Sequence, residues 1–235
     1  MTYYDPYGAS DACRECEKGK QVLQAWMQEP AQQETFRVWK MEKIERMLKR
    51  SGVWPRFREK RLTDLEDSKA LKQLCETYCT NWKENAAKGW WLYLWGNIGA
   101  GKTHTATAVS NELIQNHLVQ VLFLNLWEVA QRVKNTFEKE TKQQDSTLFE
   151  DMKKVELLVI DDIGVEKVSD WLAEQIYLVV NHRYENRLPM IVTSNQSLED
   201  LARTHRPQIC SRLQEMCRVV KFTGTDRRKD LRPTF

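Results

Sequence analysis

Eight consecutive residues, Gly96-Asn97-Ile98-Gly99-Ala100-Gly101-Lys102-Thr103, carry the spacing G-x-x-x-x-G-K-T. Glycines at those places let the backbone curl so that its N–H groups converge on phosphate oxygens. A helix that begins at the loop adds the positive end of its dipole. Lys102 is placed to neutralise β- and γ-phosphate charge, and the Thr103 hydroxyl to ligate magnesium. With His104 closing the segment, the loop is the expected binding site of ATP and Mg2+. A chance glycine-rich turn is the plain alternative, but the loop lies between a strand-like and a helix-like run, the context that the phosphate loop requires.

A second set of residues supplies metal and water chemistry. Leu157-Leu158-Val159-Ile160-Asp161-Asp162 is an apolar run ending in two carboxylates, and α/β proteins gather ligands at the carboxyl ends of their strands. Asp161 is expected to hold magnesium through its water shell, and Asp162 to orient the attacking water. An Asp-Asp pair at a strand end is often a polar turn, yet here it follows a phosphate loop.

These residues need a scaffold. Strand-like runs recur at Trp90 to Trp95, Val121 to Leu126, Val155 to Ile160, Met190 to Thr193 and Val219 to Phe222. Helical patterns separate them at Thr105 to Leu118, Trp127 to Phe137 and Trp171 to Tyr184. Such alternation implies a parallel sheet with helices on both faces. Upstream, Phe36 to Arg50 reads as a basic amphipathic helix, either a packed surface helix or a docking helix, and Leu71 to Trp82 as another, ending near Lys88-Gly89. The polar stretch Glu138 to Ser146 reads as a loop or a frayed helix end. Trp90, Trp91 and Trp95 are bulky for a thin sheet, so core packing competes with a place at the adenine end or at a subunit contact.

The motifs GNIGAGKT, LLVIDDIG, IVTSN, SRLQEMCRVV and TGTDRRK, in this order between about Ser51 and Lys229, resemble the AAA+ helicase-loader ATPases of the DnaC/DnaI type and their relatives, the IstB transposition helpers. The resemblance implies an α/β AAA+ P-loop NTPase with a five-stranded parallel sheet flanked by helices and a small, mostly helical N-terminal region. It makes residues 1–60 a partner-binding region and linker, and residues 61–235 the ATPase domain. The segment LKRSGVWPRFREKRLTDLE is similar to the loaders' linker, which wraps toward the adenine pocket. By the same resemblance Asn195 matches the polar sensor of the γ-phosphate, which an amide can both donate to and hold water against. Arg212 matches the arginine finger that reaches a neighbouring subunit's nucleotide, and Arg228 the cis arginine, with Arg227 an adjacent competitor. A capping Asn and solvated arginines are the plain alternatives. One departure stands out: many AAA+ ATPases have Glu where this chain has Asp162, one methylene shorter, which suggests slow, switch-like turnover.

The implied activity is ATP hydrolysis by an adaptor that binds a replicative hexameric helicase, helps deliver it onto single-stranded DNA during replication and associates with itself through the ATP interface. An IstB-like ATPase that regulates transposition through a transposase is the alternative. A P-loop kinase has no need of Asn195 and Arg212 in those places, and a scaffold without hydrolysis would differ in product formation. Arg132, Lys134, Lys139 and Lys142 are candidates for a DNA path. The formal charge of +3 does not by itself direct the chain to nucleic acid.

Cys13 and Cys16 form half of a possible zinc module, which Cys75 and Cys79 would complete only if the chain folds back. Six scattered cysteines with no signal peptide favour a reduced, cytoplasmic setting. No apolar run approaches the roughly 20 residues of a membrane helix, so no membrane partner is expected.

Overall fold

The computed structural model describes residues 30–65, 68–131, 142–164, 169–204, 207–224 and 226. The chain divides into two compact units, Met1–Arg46 and Met47–Phe235. In the first, helix α1 (Pro30–Arg50) begins; Trp39 stacks against Phe36 at 5.5 Å between ring centroids and lies under the Lys43 ammonium at 5.0 Å. Phe36, Val38 and Met41 on this helix are exposed.

The second unit is built on five parallel strands, β1 (Trp91–Gly96), β2 (Val121–Asn125), β3 (Leu157–Ile163), β4 (Met190–Ser194) and β5 (Cys217–Phe222), in the spatial order β2-β3-β4-β1-β5. Among the described residues the helices α2 (Lys69–Thr80), α3 (Trp82–Lys88), α4 (Lys102–His117), α5 (Lys142–Lys154), α6 (Asp170–Glu185), α7 (Leu198–Thr204) and α8 (Pro207–Met216) accompany them, and residues 126–131 are also helical. Strands β1 to β4 are short apolar runs buried for most of their length, as parallel strands covered by crossover helices must be, whereas β5, at one edge of the sheet, buries only Phe222. Trp91, Tyr93, Leu158 and Ile160 join Phe149 and Met152 of α5, Leu172, Ile176 and Val179 of α6, and Ile209 and Leu213 of α8 in one core. Side chains alternate along a strand, so Leu92 and Leu94 turn to the other face, where α4 packs on β1 and β4.

Ser51 to Leu65 runs over this second face. Ser51 O accepts from Phe123 N at 2.6 Å, Trp54 Nε1 donates to Glu128 at 3.0 Å, and Asn111 Nδ2 of α4 donates to the carbonyls of Phe57 and Lys60, each at 2.9 Å. The linker is thus tied to the phosphate-loop helix and to β2, within the second unit.

The strand readings hold with shifted ends. β3 runs on through Asp161 and Asp162 to Ile163, and β5 begins at Cys217. Glu138 to Ser146, expected as a loop or a frayed helix end, carries the start of α5 from Lys142, residues 138–141 lying outside those described. Its apolar signal is only Leu148, Phe149 and Met152, too brief to announce a helix, yet Phe149 and Met152 are fully buried by tertiary packing. The single helix expected from Leu71 breaks at Asn81, where Asn85 Nδ2 bonds back to Tyr78 O at 2.9 Å. Of the tryptophans, Trp91 is core, its indole donating to Leu188 O at 2.8 Å. Trp95 lies under Lys221 at 4.9 Å, and Trp90 is exposed.

Arg183 of α6 is wholly buried, and among the described residues its bonds all go to backbone carbonyls. Nη1 donates to the carbonyls of Met152, Lys153 and Val155, and Nη2 to those of Glu156 and Pro189. One guanidinium therefore caps the end of α5 and joins it to the entries of β3 and β4. Burial pulls its pKa down to about 9, still charged at neutral pH.

Candidate nucleotide-binding site

The phosphate loop leaves β1 at Gly96 and enters α4 at Lys102, with Gly96, Gly99 and Gly101 all at positive φ (138°, 77° and 100°). A Cβ at Gly96 would overlap the backbone of Phe222, and one at Gly99 the carboxylate of Asp226. Asn97 holds the same segment, its N–H donating to Phe222 O at 3.2 Å and its Nδ2 to Gly224 O at 3.4 Å. These glycines thus serve a chain crossing as well as a phosphate cradle: the exit of β5 lies directly against the loop. Ile98 is exposed and Ala100 buried. His104, in the first turn of α4, stands 4.0 Å from Asp64 of the linker.

Lys102 is almost fully buried, and its ammonium donates to Gly96 O at 2.9 Å, Asn97 O at 2.8 Å and Asn195 Oδ1 at 2.7 Å. The third bond joins the loop to the end of β4, where sequence placed the sensor. Each of these hydrogens can be given instead to a phosphate oxygen.

Thr103 Oγ1 donates to Asp161 at 3.0 Å (Oδ1) and 3.3 Å (Oδ2), and Thr193 Oγ1 donates to Asp161 Oδ1 at 2.7 Å. Burial pushes the Asp161 carboxyl up to about 6; the Thr193 hydroxyl opposes the shift, the Asp162 charge adds to it, and Thr103 and Asn125 pull it down. A buried carboxylate beside a hydroxyl and a second carboxylate is a hard, oxygen-rich donor set with excess negative charge, which suits a magnesium ion. Thr103 and Asp161 are the residues that would hold it.

Asp162 has φ 59°, rare for a residue with a side chain. Between the register pairs Ile160↔Val192 and Ile163↔Ser194, two residues of β3 stand opposite Thr193 alone, which makes a β-bulge. The Asp162 amide donates to Thr193 Oγ1 at 2.9 Å. Sequence reasoning gave no role to Thr193 or to Phe222–Asp226. Their signals were slight: a Thr two residues before Asn195, and the TGTD run after β5.

Lys102, Thr103, Asp161, Asp162 and Asn195 therefore meet at the carboxyl ends of β1, β3 and β4. Arg212 is elsewhere, on α8 against α6. Its guanidinium donates to Gln208 O at 3.0 Å and to Asn181 Oδ1, and lies 5.3 and 5.4 Å from the ring centroids of Tyr177 and Tyr184. Arg228, Arg227, Cys13, Cys16, Arg132, Lys134 and Lys139 lie outside the described residues, as does the side chain of Lys142. Cys75 and Cys79 are buried in α2, and burial raises both thiols, Cys75 to about 12, which keeps them protonated. Among the described residues no helix is long and apolar enough to cross a membrane.

Among curated proteins the chain is 34% identical to the phage-like element PBSX protein XkdC of Bacillus subtilis over 131 residues, 54% of this chain and 47% of that protein. It is 30% identical to the replicative helicase loader DnaI of B. subtilis over 115 residues, 48% of this chain and 36% of that one. It spans under half the length of both. The replicative helicase loader DnaC of Escherichia coli is 26% identical over 176 residues, 73% of this chain and 70% of that one. The crystal structure of the DnaC helicase loader superposes with a TM-score of 0.63 at 24% identity, over 72% of this chain and all of that one. The DnaI structure gives 0.62 at 24%, over 73% and 95%. These two likenesses establish the AAA+ P-loop fold. The family model described as IstB-like ATP binding protein matches residues 20–232, nearly the whole chain, and the protein belongs to the IstB-like ATP-binding family.

Proposed function

We propose that this protein is an ATP-hydrolysing loader that binds a replicative hexameric helicase and delivers it onto single-stranded DNA. The observation that carries the reading is the direct bonding of Lys102 to Asn195 and of Thr103 to Asp161, which joins three ordered motifs into one phosphate-facing cluster. Its helicase and DNA partners rest on the likeness to DnaC and DnaI, which are named as replicative helicase loaders.

In this reading the loop N–H groups and Lys102 bind the phosphates of ATP. Lys102 exchanges its carbonyl and Asn195 bonds for phosphate oxygens, which frees Asn195 to hold the γ-phosphate and the water. Asp162 accepts a proton from that water. Magnesium, when bound, neutralises charge on the phosphate oxygens. Arg212 reaches the nucleotide of a neighbouring copy, so turnover depends on assembly. Arg228 is proposed as the cis arginine. Lys102 must give up three short bonds and Asp162 has a short reach; both make basal hydrolysis slow and suit a timer rather than a motor.

A second reading follows from the resemblance to the IstB transposition helpers, whose family model matches the chain: an ATPase that regulates DNA transposition through a transposase. Affinity capture from host extract with ATP, with the parent protein and Lys102→Ala in parallel, separates the two. Recovery of a hexameric replicative helicase by the parent, weakened in Lys102→Ala, supports the loader; recovery of a transposase in its place moves the protein to the second reading.

A further inference from the structure

We propose that Thr193 is the positioning residue that sets both carboxylates of the site, an assignment that rests on the ATPase reading above. The bulge in β3 carries the case. In a parallel ladder each inward N–H meets a carbonyl of the next strand, and an extra residue leaves one amide without its partner. Here that amide belongs to Asp162, and a buried orphan N–H is costly. Thr193, the single β4 residue opposite the bulge, takes it with its hydroxyl at 2.9 Å.

A hydroxyl accepts through its lone pairs and still has one hydrogen to give. That hydrogen goes to Asp161 Oδ1 at 2.7 Å, the oxygen that also receives Thr103. The two bonds through one oxygen fix the chain at Asp162 in its left-handed conformation and turn the Asp161 carboxylate toward Thr103. Thr193 is fully buried, so water cannot replace it. Valine has the same shape without either bond; serine keeps both.

The test compares Thr193→Val, Thr193→Ser and the parent by single-turnover ATP hydrolysis, nucleotide affinity without magnesium, and hydrogen exchange of the Asp162 amide. Thr193→Val is expected to lower the hydrolysis rate about 10- to 100-fold, as loss of a partner that orients metal ligands does. Its magnesium-free nucleotide affinity stays near the parent's and its Asp162 amide exchanges faster, while Thr193→Ser restores both. Parent-like hydrolysis and amide protection in Thr193→Val overturn the proposal, as does a Thr193→Ser variant as impaired as Thr193→Val. A parent that never hydrolyses ATP sinks the ATPase reading instead, and the amide exchange of the three proteins then decides the role of Thr193 by itself.

Discussion

Asp161 shows how the site sets function against stability. Its carboxyl is pushed up to about 6 because burial penalises the charge, whereas an unfolded aspartate titrates near 3.8. Between those values the folded protein holds a proton that the unfolded chain has lost. Stability from this group is therefore full below about pH 4 and is lost as pH rises through about 6. At pH 7.5 the ionised side chain costs roughly 1–3 kcal/mol. Asp161→Asn keeps an acceptor for Thr193 and Thr103 and removes the charge. The ligand-free variant is expected to melt roughly 2–12 °C above the parent at pH 7.5, with the gap narrowing toward pH 5, and to lose hydrolysis. Equal melting points at both pH values would show that the carboxylate is not strained by burial. Asp161 itself was legible in the sequence as a carboxylate ending an apolar run. Its protonation was not, since that depends on β2 and β4 closing over it.

Among the elements, the phosphate loop and the exit of β5 act as one unit. A glycine in this motif is usually explained by the ligand, yet at Gly99 a side chain would meet Asp226 as well as strained backbone at φ 77°. Gly99→Ala is expected to cost roughly 1–3 kcal/mol of stability and to weaken nucleotide binding by displacing Phe222–Asp226. Asp226→Ala on the Gly99→Ala background removes the overlap with the carboxylate but neither the 2.8 Å approach to the Asp226 Cα nor the backbone strain, so urea unfolding should show partial recovery. Full additivity of the two substitutions would mean that the crossing does not constrain the loop. The Asn111 bonds to the linker and the Arg183 bonds to five carbonyls belong to the same scale: each polar side chain ties one element to the backbone ends of others. None of this has a sequence period; α5 and α7 were missed because their apolar signals are brief, and α8 was missed although Ile209, Leu213 and Met216 stand at helical spacing.

For the whole molecule, the placement of Arg212 decides whether one chain suffices. It is held by α6, bonded to Asn181 and stacked near Tyr177 and Tyr184, and its contacts among the described residues include neither Lys102 nor Asp161 of its own chain. If it serves a neighbour's nucleotide, Arg212→Ala and Lys102→Ala will each be inactive alone yet regain part of the parent's hydrolysis when mixed. In the mixture, nucleotide sites of the first can meet arginines of the second. Mixed assemblies that form but stay inactive would exclude this role. The sequence alone determined the chemistry whose residues are neighbours along the chain: the phosphate loop, the Asp161-Asp162 pair, the alternation that makes a parallel sheet, and so the meeting of motifs at its carboxyl edge. Only the tertiary structure decided the bulge opposite Thr193, the crossing of β5 over Gly96 and Gly99, and the side of the molecule to which Arg212 belongs. Those depend on strand register and helix packing between distant segments, and residue types and spacings along one chain do not encode register until the strands are paired.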